Sequence, residues 1–182
     1  HVSNSHIDVT TTGSTNIGGI AGQGSGDGKT VESSSFSGTI KVHHKSGTVC
    51  VAGIMGLGAP ILNNCRVDGQ MTLSSVNSDD GDKIYANGLC YEAADITGCV
   101  NSLNFKLLTE NGVGTPHKLD LNTLCNNAHN VCQSANLGNV SIVSTDGWDG
   151  IVGNIWNVNL VKDCAFYGSF RGSNLKYSTT GK

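Results

Sequence analysis

The sequence has few charged and few aromatic residues, which limits the partners that its surface can attract. Charged residues make up 14% of the 182, aromatic residues make up 5%, and the formal net charge is -3. The 11 lysines and arginines are scattered and form no basic stripe. Because nucleic-acid binding depends on clustered cations, often combined with aromatic side chains, we expect no nucleic-acid partner.

Long apolar runs are also missing. The longest, at 51–57, is broken by glycines and is far shorter than the roughly 18 residues that a transmembrane helix needs. No basic amphipathic segment is present either, so we expect no membrane insertion. The chain begins with His1 rather than Met, and we interpret it as a piece of a longer protein.

Glycine is abundant instead, with 25 residues, and much of it lies in a degenerate repeat of about 29 to 35 residues. Each clear copy has a Gly-aliphatic-small-Gly tetrad, followed by a segment of the form Cys/Ser-x-aliphatic-x-Gly. Three copies align closely, and weaker ones bring the number of units to six; the six segments begin at Ser5, Ser34, Cys65, Cys99, Ser134 and Cys164. A period of this length is typical of arrays whose units bury their apolar faces only by stacking on neighbours.

Within each unit, apolar and polar residues alternate, which indicates strands rather than helices. In 65–73, for example, Cys65, Val67, Met71 and Leu73 alternate with polar residues. The only stretch that admits a helical turn is 119–130. Because equivalent positions recur with the same residue class, we predict an all-β fold, a parallel β-solenoid (β-helix) of about six coils. It covers residues 1–172, and 173–182 form a polar tail or linker.

Three glycines, Gly38, Gly69 and Gly168, fall at one inward position of the repeat. We interpret them as structural, because a glycine column is typical of a tight bend or a close backbone approach in every coil.

The seven cysteines also follow the repeat, which argues against a dedicated disulfide framework. One repeat position holds Cys65, Cys99 and Cys164, and another holds Cys90 and Cys125. This pattern is typical of small, buried, structural side chains. We expect most of the cysteines to be free thiols. The pairs that could be bridged are Cys90–Cys125 and Cys125–Cys132.

The tetrads and the strands that follow them resemble the GLUG repeat of bacterial surface proteins. The likeness covers about five of the six units, and its tetrads are Gly19-Ile20-Ala21-Gly22, Gly53-Ile54-Met55-Gly56 and Gly150-Ile151-Val152-Gly153. The resemblance implies a parallel β-solenoid and an extracellular or cell-surface location. It implies no catalytic residue, because the family motif carries none. From it we expect a stalk or adhesin whose partner is a host or cell-wall glycan or a surface protein.

Catalytic patterns are missing from the sequence. No Gly-x-Ser-x-Gly motif occurs, and the repeat brings no suitable pair of carboxylates together, so we expect no enzymatic activity. No cofactor is expected either. The alternative is a structural calcium ion at the turn formed by Asp79, Asp80, Gly81 and Asp82, which offers three hard carboxylates; a solvated turn explains the same residues.

Aromatic side chains with a polar group are suited to stacking on sugar rings. Trp148 lies in a turn rich in Gly and Asp, and Tyr167 points outward in the repeat register, whereas we expect Trp156 to be covered by a loop. A ligand site at Trp148, Asp149, Tyr167 and Arg171 is therefore the binding hypothesis. It favours an alternative function, a carbohydrate-binding module of a secreted polysaccharide-degrading enzyme.

Overall fold

The computed structural model of the chain describes residues 1–24, 28–75, 82–109, 117–143 and 148–172. In these segments the regular structure consists of β-strands, and neighbouring strands run parallel. The predicted all-β parallel solenoid is thus confirmed. The segment 173–182, predicted to be a tail or linker, lies outside the described residues.

The strands lie in two sheets that face each other across one core. Sheet A contains β1 (Val2–Thr12), β5 (Ser35–Ser46), β9 (Arg66–Ser75), β12 (Val100–Thr109), β14 (Ala135–Asn136), β15 (Val140–Val143), β17 (Ala165–Phe166) and β18 (Phe170–Gly172). Sheet B contains β2 (Thr15–Gly18), β3 (Ala21–Gln23), β4 (Thr30–Glu32), β6 (Thr48–Ala52), β7 (Met55–Leu57), β8 (Ile61–Asn63), β10 (Lys83–Asn87), β11 (Cys90–Thr97), β13 (His117–Cys132) and β16 (Trp148–Lys162).

Each turn of the solenoid passes once through sheet A and then through sheet B. The turn that starts with β5 continues through β6, β7 and β8 and returns to sheet A as β9, which pairs with β5. Hydrogen bonds between strands therefore run along the axis of the solenoid. The prediction that 119–130 admits a helical turn is wrong, because these residues lie in β13, which pairs on both sides with other strands.

Corners from sheet B to sheet A mark the number of turns. Five corner residues have positive φ, between 48° and 64°: Ser33, Asn64, Gly98, Gln133 and Asp163. Five corners enclose about four complete turns. The predicted count of six was too high, because it included the partial coils before the first corner and after the last one.

The residue after each corner is a serine or a cysteine, and its side chain stabilises the turn. Ser34 Oγ donates to the carbonyl of Glu32 at 3.0 Å, and Cys99 Sγ donates to that of Thr97 at 3.4 Å. Each side chain can also accept from the preceding coil, since Cys99 N donates to Ser134 Oγ at 3.1 Å. Serine and cysteine replace one another at this position because both combine a short donor with an acceptor.

Equivalent side chains form columns in the interior. One column runs through Phe36, Val67, Asn101, Asn136 and Phe166, which are register partners in successive layers of sheet A. Phe36 and Val67 are buried, whereas Phe166, in the last layer, is 40% exposed.

Glycines let the backbones of successive coils approach closely. Gly38 and Gly69 are register partners, and a Cβ atom on Gly69 would collide with the carbonyl oxygen of Gly38. Gly168 meets the carbonyl oxygen of Gly138 in the same way. The first glycines of two tetrads, Gly19 and Gly53, lie in a second column with Gly88, where Gly53 packs against the Val67 side chain. The predicted alignment of the third tetrad with them is wrong, because Gly150 pairs with Leu119 in another column. A larger residue would push sheet B away from sheet A.

Candidate functional site

The predicted ligand residues are divided between the two sheets. Trp148 and Asp149 begin β16 in sheet B, and their side chains lie outside what the structure describes. Tyr167 and Arg171 belong to the last layer of sheet A. Tyr167 is 77% exposed and its backbone N–H donates to Asn136 O at 2.9 Å, whereas the exposed Arg171 pairs with Ser141 of β15.

The predicted calcium turn is only partly described. Asp79 and Asp80 lie outside the described residues. Asp82 accepts a hydrogen bond from the backbone N–H of Gly47 at 2.5 Å, so its carboxylate fastens one coil to the next. Among the residues that the structure describes, no group of three His, Cys, Asp or Glu side chains is arranged to hold a metal ion.

The seven cysteines are free thiols in the structure. Cys90 and Cys125 are register partners and are completely buried. Burial, with a smaller effect of Cys164, raises the pKa of Cys125 to about 12, and burial followed by the effect of Cys125 raises that of Cys90 well above its usual value. Because the thiolate is the reactive form, these two cysteines are chemically inert packing groups at neutral pH.

A groove with a cavity of about 400 Å³ lies on sheet B. We call it the axial groove, because its lining residues come from the successive strands β11, β13 and β16 and from the segment before β8. They are Ala59, Glu92, Ala93, Asn127, Ala128, His129, Asn157 and Asn159.

The floor of the axial groove consists of small residues, because Ala93 and Ala128 are register partners. Both are nearly buried. Because alanine carries only a methyl group, it fills little of the space above the strand. The next position along β16 in this column is Val158, which is only partly buried. The groove therefore exists because alanine occupies two successive layers.

One wall of the axial groove is a column of polar side chains, Glu92, Asn127 and Asn157, which are also register partners. Asn127 Nδ2 donates to Glu92 Oε1 at 3.3 Å. Opposite this column, one residue beyond the floor in each strand, lie the exposed His129 and Asn159. Carboxylate, amide and imidazole groups thus line a cleft with an apolar floor.

Two further features lie on the same strands as the groove residues. Asp95 and Asn130 repeat the pairing of a carboxylate with an amide, with Asn130 Nδ2 at 2.7 Å from Asp95 Oδ1. Trp156 immediately precedes Asn157 in β16 and is 45% exposed. The expectation that a loop covers Trp156 is wrong, because it lies on a strand at the edge of the last coil.

The sequence hypotheses missed the axial groove. A signal was present in the spacing, since 92–95 and 127–130 are 35 residues apart and align as Glu-Ala-Ala-Asp and Asn-Ala-His-Asn. What the alternation of residue types does not show is that consecutive residues of one strand line the same cleft.

No protein-family model, curated protein or solved structure matches this chain. In the part of the chain that the structure describes, no helix is long and apolar enough to cross a membrane. The function is therefore inferred from the geometry of the rod and its groove.

Proposed function

We propose that the chain is a non-catalytic β-solenoid module of a bacterial extracellular or cell-surface protein, and that it acts as a stalk or adhesin. The GLUG-like tetrads support the bacterial surface origin. The observation that carries the proposal is that the recurring residues are those that build the rod. They are the corner serines and cysteines, the glycine columns and the buried core.

A rod of this kind extends by about 4.8 Å with every coil, the spacing between neighbouring strands. Each coil contacts mainly the next one, so length can change without a change in the packing of any single coil. A surface protein needs such a spacer to hold a binding site away from the cell envelope. The axial groove and the exposed Tyr167 provide surfaces on which a glycan or surface protein can bind.

The alternative is a carbohydrate-binding module of a secreted polysaccharide-degrading enzyme. The polar cleft over an alanine floor favours it, because sugar sites combine oriented polar groups with an apolar surface. The parent gene distinguishes the two: a wall anchor or further repeats support the surface protein, and an adjacent glycosidase domain supports the enzyme module.

The proposed function can be tested with beads that carry the chain through an added terminal tag. The beads are applied under flow to surfaces coated with bacterial cell-wall polysaccharide, with mucin or with albumin, and beads that carry the tag alone are the control. An adhesin retains beads on a glycan surface but not on albumin. A stalk without adhesion shows, in single-molecule pulling, stepwise extension as coils separate.

Beads that are retained nowhere, together with extension as smooth as that of an unfolded chain, would contradict both functions. Release of reducing ends from any of the polysaccharides by the chain alone would contradict the non-catalytic assignment.

A further inference from the structure

We infer that the axial groove binds a neutral polysaccharide chain that lies parallel to the long axis of the solenoid. This inference rests on the adhesin half of the proposed function and gives its ligand class and its site. The direction follows from the register. The floor pair Ala93 and Ala128 and the wall pair Glu92 and Asn127 are each stacked from coil to coil, so the groove runs across the strands. It offers similar groups at steps of about 4.8 Å, which suits a polymer of repeating units.

The groups in the groove match the hydroxyls of a sugar. A hydroxyl both donates and accepts, and neighbouring hydroxyls on a ring present both roles side by side. The Glu92 carboxylate accepts, whereas the amides of Asn127 and Asn157 both donate and accept. The hydrogen bond from Asn127 to Glu92 holds the two side chains in fixed positions before a ligand arrives. A preorganised polar wall loses little side-chain entropy on binding.

The floor suits the other half of a sugar ring. Ala93 and Ala128 give the groove a narrow apolar floor that the C–H groups of a ring can contact. Binding sites for small polar ligands combine these two kinds of surface.

An extended peptide is a poorer fit. Peptides add to sheets through the free backbone groups of an edge strand. The backbone of 127–130 is paired on one side with β11 and on the other with β16. Within β13, therefore, only side chains are offered to a ligand.

Acidic polysaccharides are also disfavoured. The described residues that line the groove include a carboxylate, Glu92, and no lysine or arginine. A uronic acid placed beside Glu92 would be repelled, and no lysine or arginine of the lining would compensate.

The test is affinity electrophoresis of the chain in native gels that contain a neutral polysaccharide (β-glucan, xylan, galactomannan or mannan) or polygalacturonate as the acidic probe. We expect at least one neutral polymer to retard the wild-type chain, and polygalacturonate to retard it less. Ala128→Leu fills the floor and should weaken binding at least about tenfold, equivalent to about 1.4 kcal/mol. The matched control, Ser141→Leu, places the same side chain on the exposed face of sheet A and should bind as the wild type does.

A second variant guards against a folding defect in Ala128→Leu. Asn157→Ala with Asn159→Ala removes two exposed side chains from the walls, should leave the thermal midpoint unchanged, and should also weaken binding.

Full binding by both groove variants, with loss of binding in Tyr167→Ala, would overturn the groove as the site and leave glycan adhesion standing. Retardation by no neutral polymer would overturn the inference, and bead retention on mucin or cell-wall surfaces would then show whether the adhesin function survives without it. Stronger retardation by polygalacturonate than by every neutral polymer would overturn the ligand class.

Discussion

Two buried asparagines join neighbouring coils inside the rod. Asn101 and Asn136 are both fully buried, and Asn101 Nδ2 donates to Asn136 Oδ1 at 2.8 Å. Asn136 also accepts from the Gly138 N–H at 3.2 Å and donates to the Gly138 carbonyl at 3.1 Å. In this interior column, polar side chains replace the apolar Phe36 and Val67 of earlier coils. They can do so only because each buried amide is hydrogen-bonded, either to the other asparagine or to a backbone group two residues along its own chain segment.

Replacement of Asn136 by alanine should therefore destabilise the fold strongly. It leaves the Gly138 N–H and the Asn101 amide buried without their partner, at a total cost of about 3 kcal/mol. Urea unfolding followed by circular dichroism measures the loss. The control is Asn139→Ala, which removes an exposed amide bonded to Asn104 at 3.0 Å and to Ser169 N and Oγ at 3.0 and 2.8 Å. It should cost only about 1 kcal/mol, because water can replace these exposed partners. Equal losses of unfolding free energy in the two variants would show that the buried hydrogen bonds of Asn136 stabilise the fold no more than exposed ones do.

The buried thiols make the fold sensitive to alkali. Burial raises the pKa of Cys125 from 9.0 to about 12, so the unfolded chain loses this proton at lower pH than the folded chain does. The contribution of Cys125 to stability is fully present below about pH 9 and is lost as the pH rises towards 12. In that range the free energy of unfolding should fall by about 1.4 kcal/mol per pH unit for each such thiol.

Cys125→Ala should therefore flatten the decline in stability between pH 9 and about pH 11, even though it lowers stability at neutral pH. Urea titrations at several pH values give the slope. Val131→Ala creates a cavity in the same strand without removing a titrating group, and should keep the wild-type slope. The explanation fails if Cys125→Ala retains the full alkaline decline.

At the scale of strands and corners, glycine decides how closely two coils can approach. Gly69 has a φ of 123°, which is rarely adopted by residues with a side chain, and its α-carbon faces the carbonyl oxygen of Gly38. Both the backbone conformation and the absence of Cβ are needed at this place in β9.

Gly69→Ala should cost about 3 kcal/mol or more, because backbone strain and a collision with β5 act together. Thermal unfolding of the variant measures the effect. Gly13→Ala is the matched control, since a Cβ there would meet no atom within 4 Å, and it should change stability little. A tolerated Gly69→Ala would mean that β5 and β9 can separate without loss of the core.

Much of this level of structure could be predicted from the sequence. The alternation of residues at 65–73 and the repeat period together predicted the strands, their parallel stacking and the register of Gly38 with Gly69. The period also aligned Cys90 with Cys125. These features follow from local residue types that recur at a fixed spacing.

Other features depend on the path of the chain in space and could not be predicted. In 119–130 the apolar residues do not alternate strictly, because β13 spans the bend of sheet B, and this irregularity suggested a helical turn. The axial groove is lined by consecutive residues of one strand, such as Glu92 and Ala93, which strict alternation would place on opposite faces. Residue spacing carries no direct information on such bends.

For the molecule as a whole, the last coil differs from the others in its exposed apolar surface. Most of the large hydrophobic side chains that are exposed lie in the final part of the described chain, among them Trp156, Leu160, Val161, Phe166 and Phe170. In the described residues β16 pairs with β13 alone, so its other edge is open. An open parallel edge with apolar side chains is a surface for association with further strands.

Lysines at this edge should weaken self-association. The double variant Leu160→Lys and Val161→Lys adds charge to β16 and should raise the dissociation constant of self-association at least about tenfold, or about 1.4 kcal/mol. Sedimentation velocity over a range of protein concentrations measures it. Ile20→Lys, at the opposite end of the rod, is the control for added charge and should associate as the wild type does. If both variants associate equally, the last coil is not the contact surface.

The five corners have a consequence for how such a gene can evolve. Every corner is built in the same way, by one residue with positive φ followed by a serine or cysteine, so the chain enters and leaves each turn in the same conformation. Recombination between two corner codons removes or duplicates a whole turn and joins ends that already fit. The length of the rod can therefore vary between related genes while each remaining turn is inherited intact.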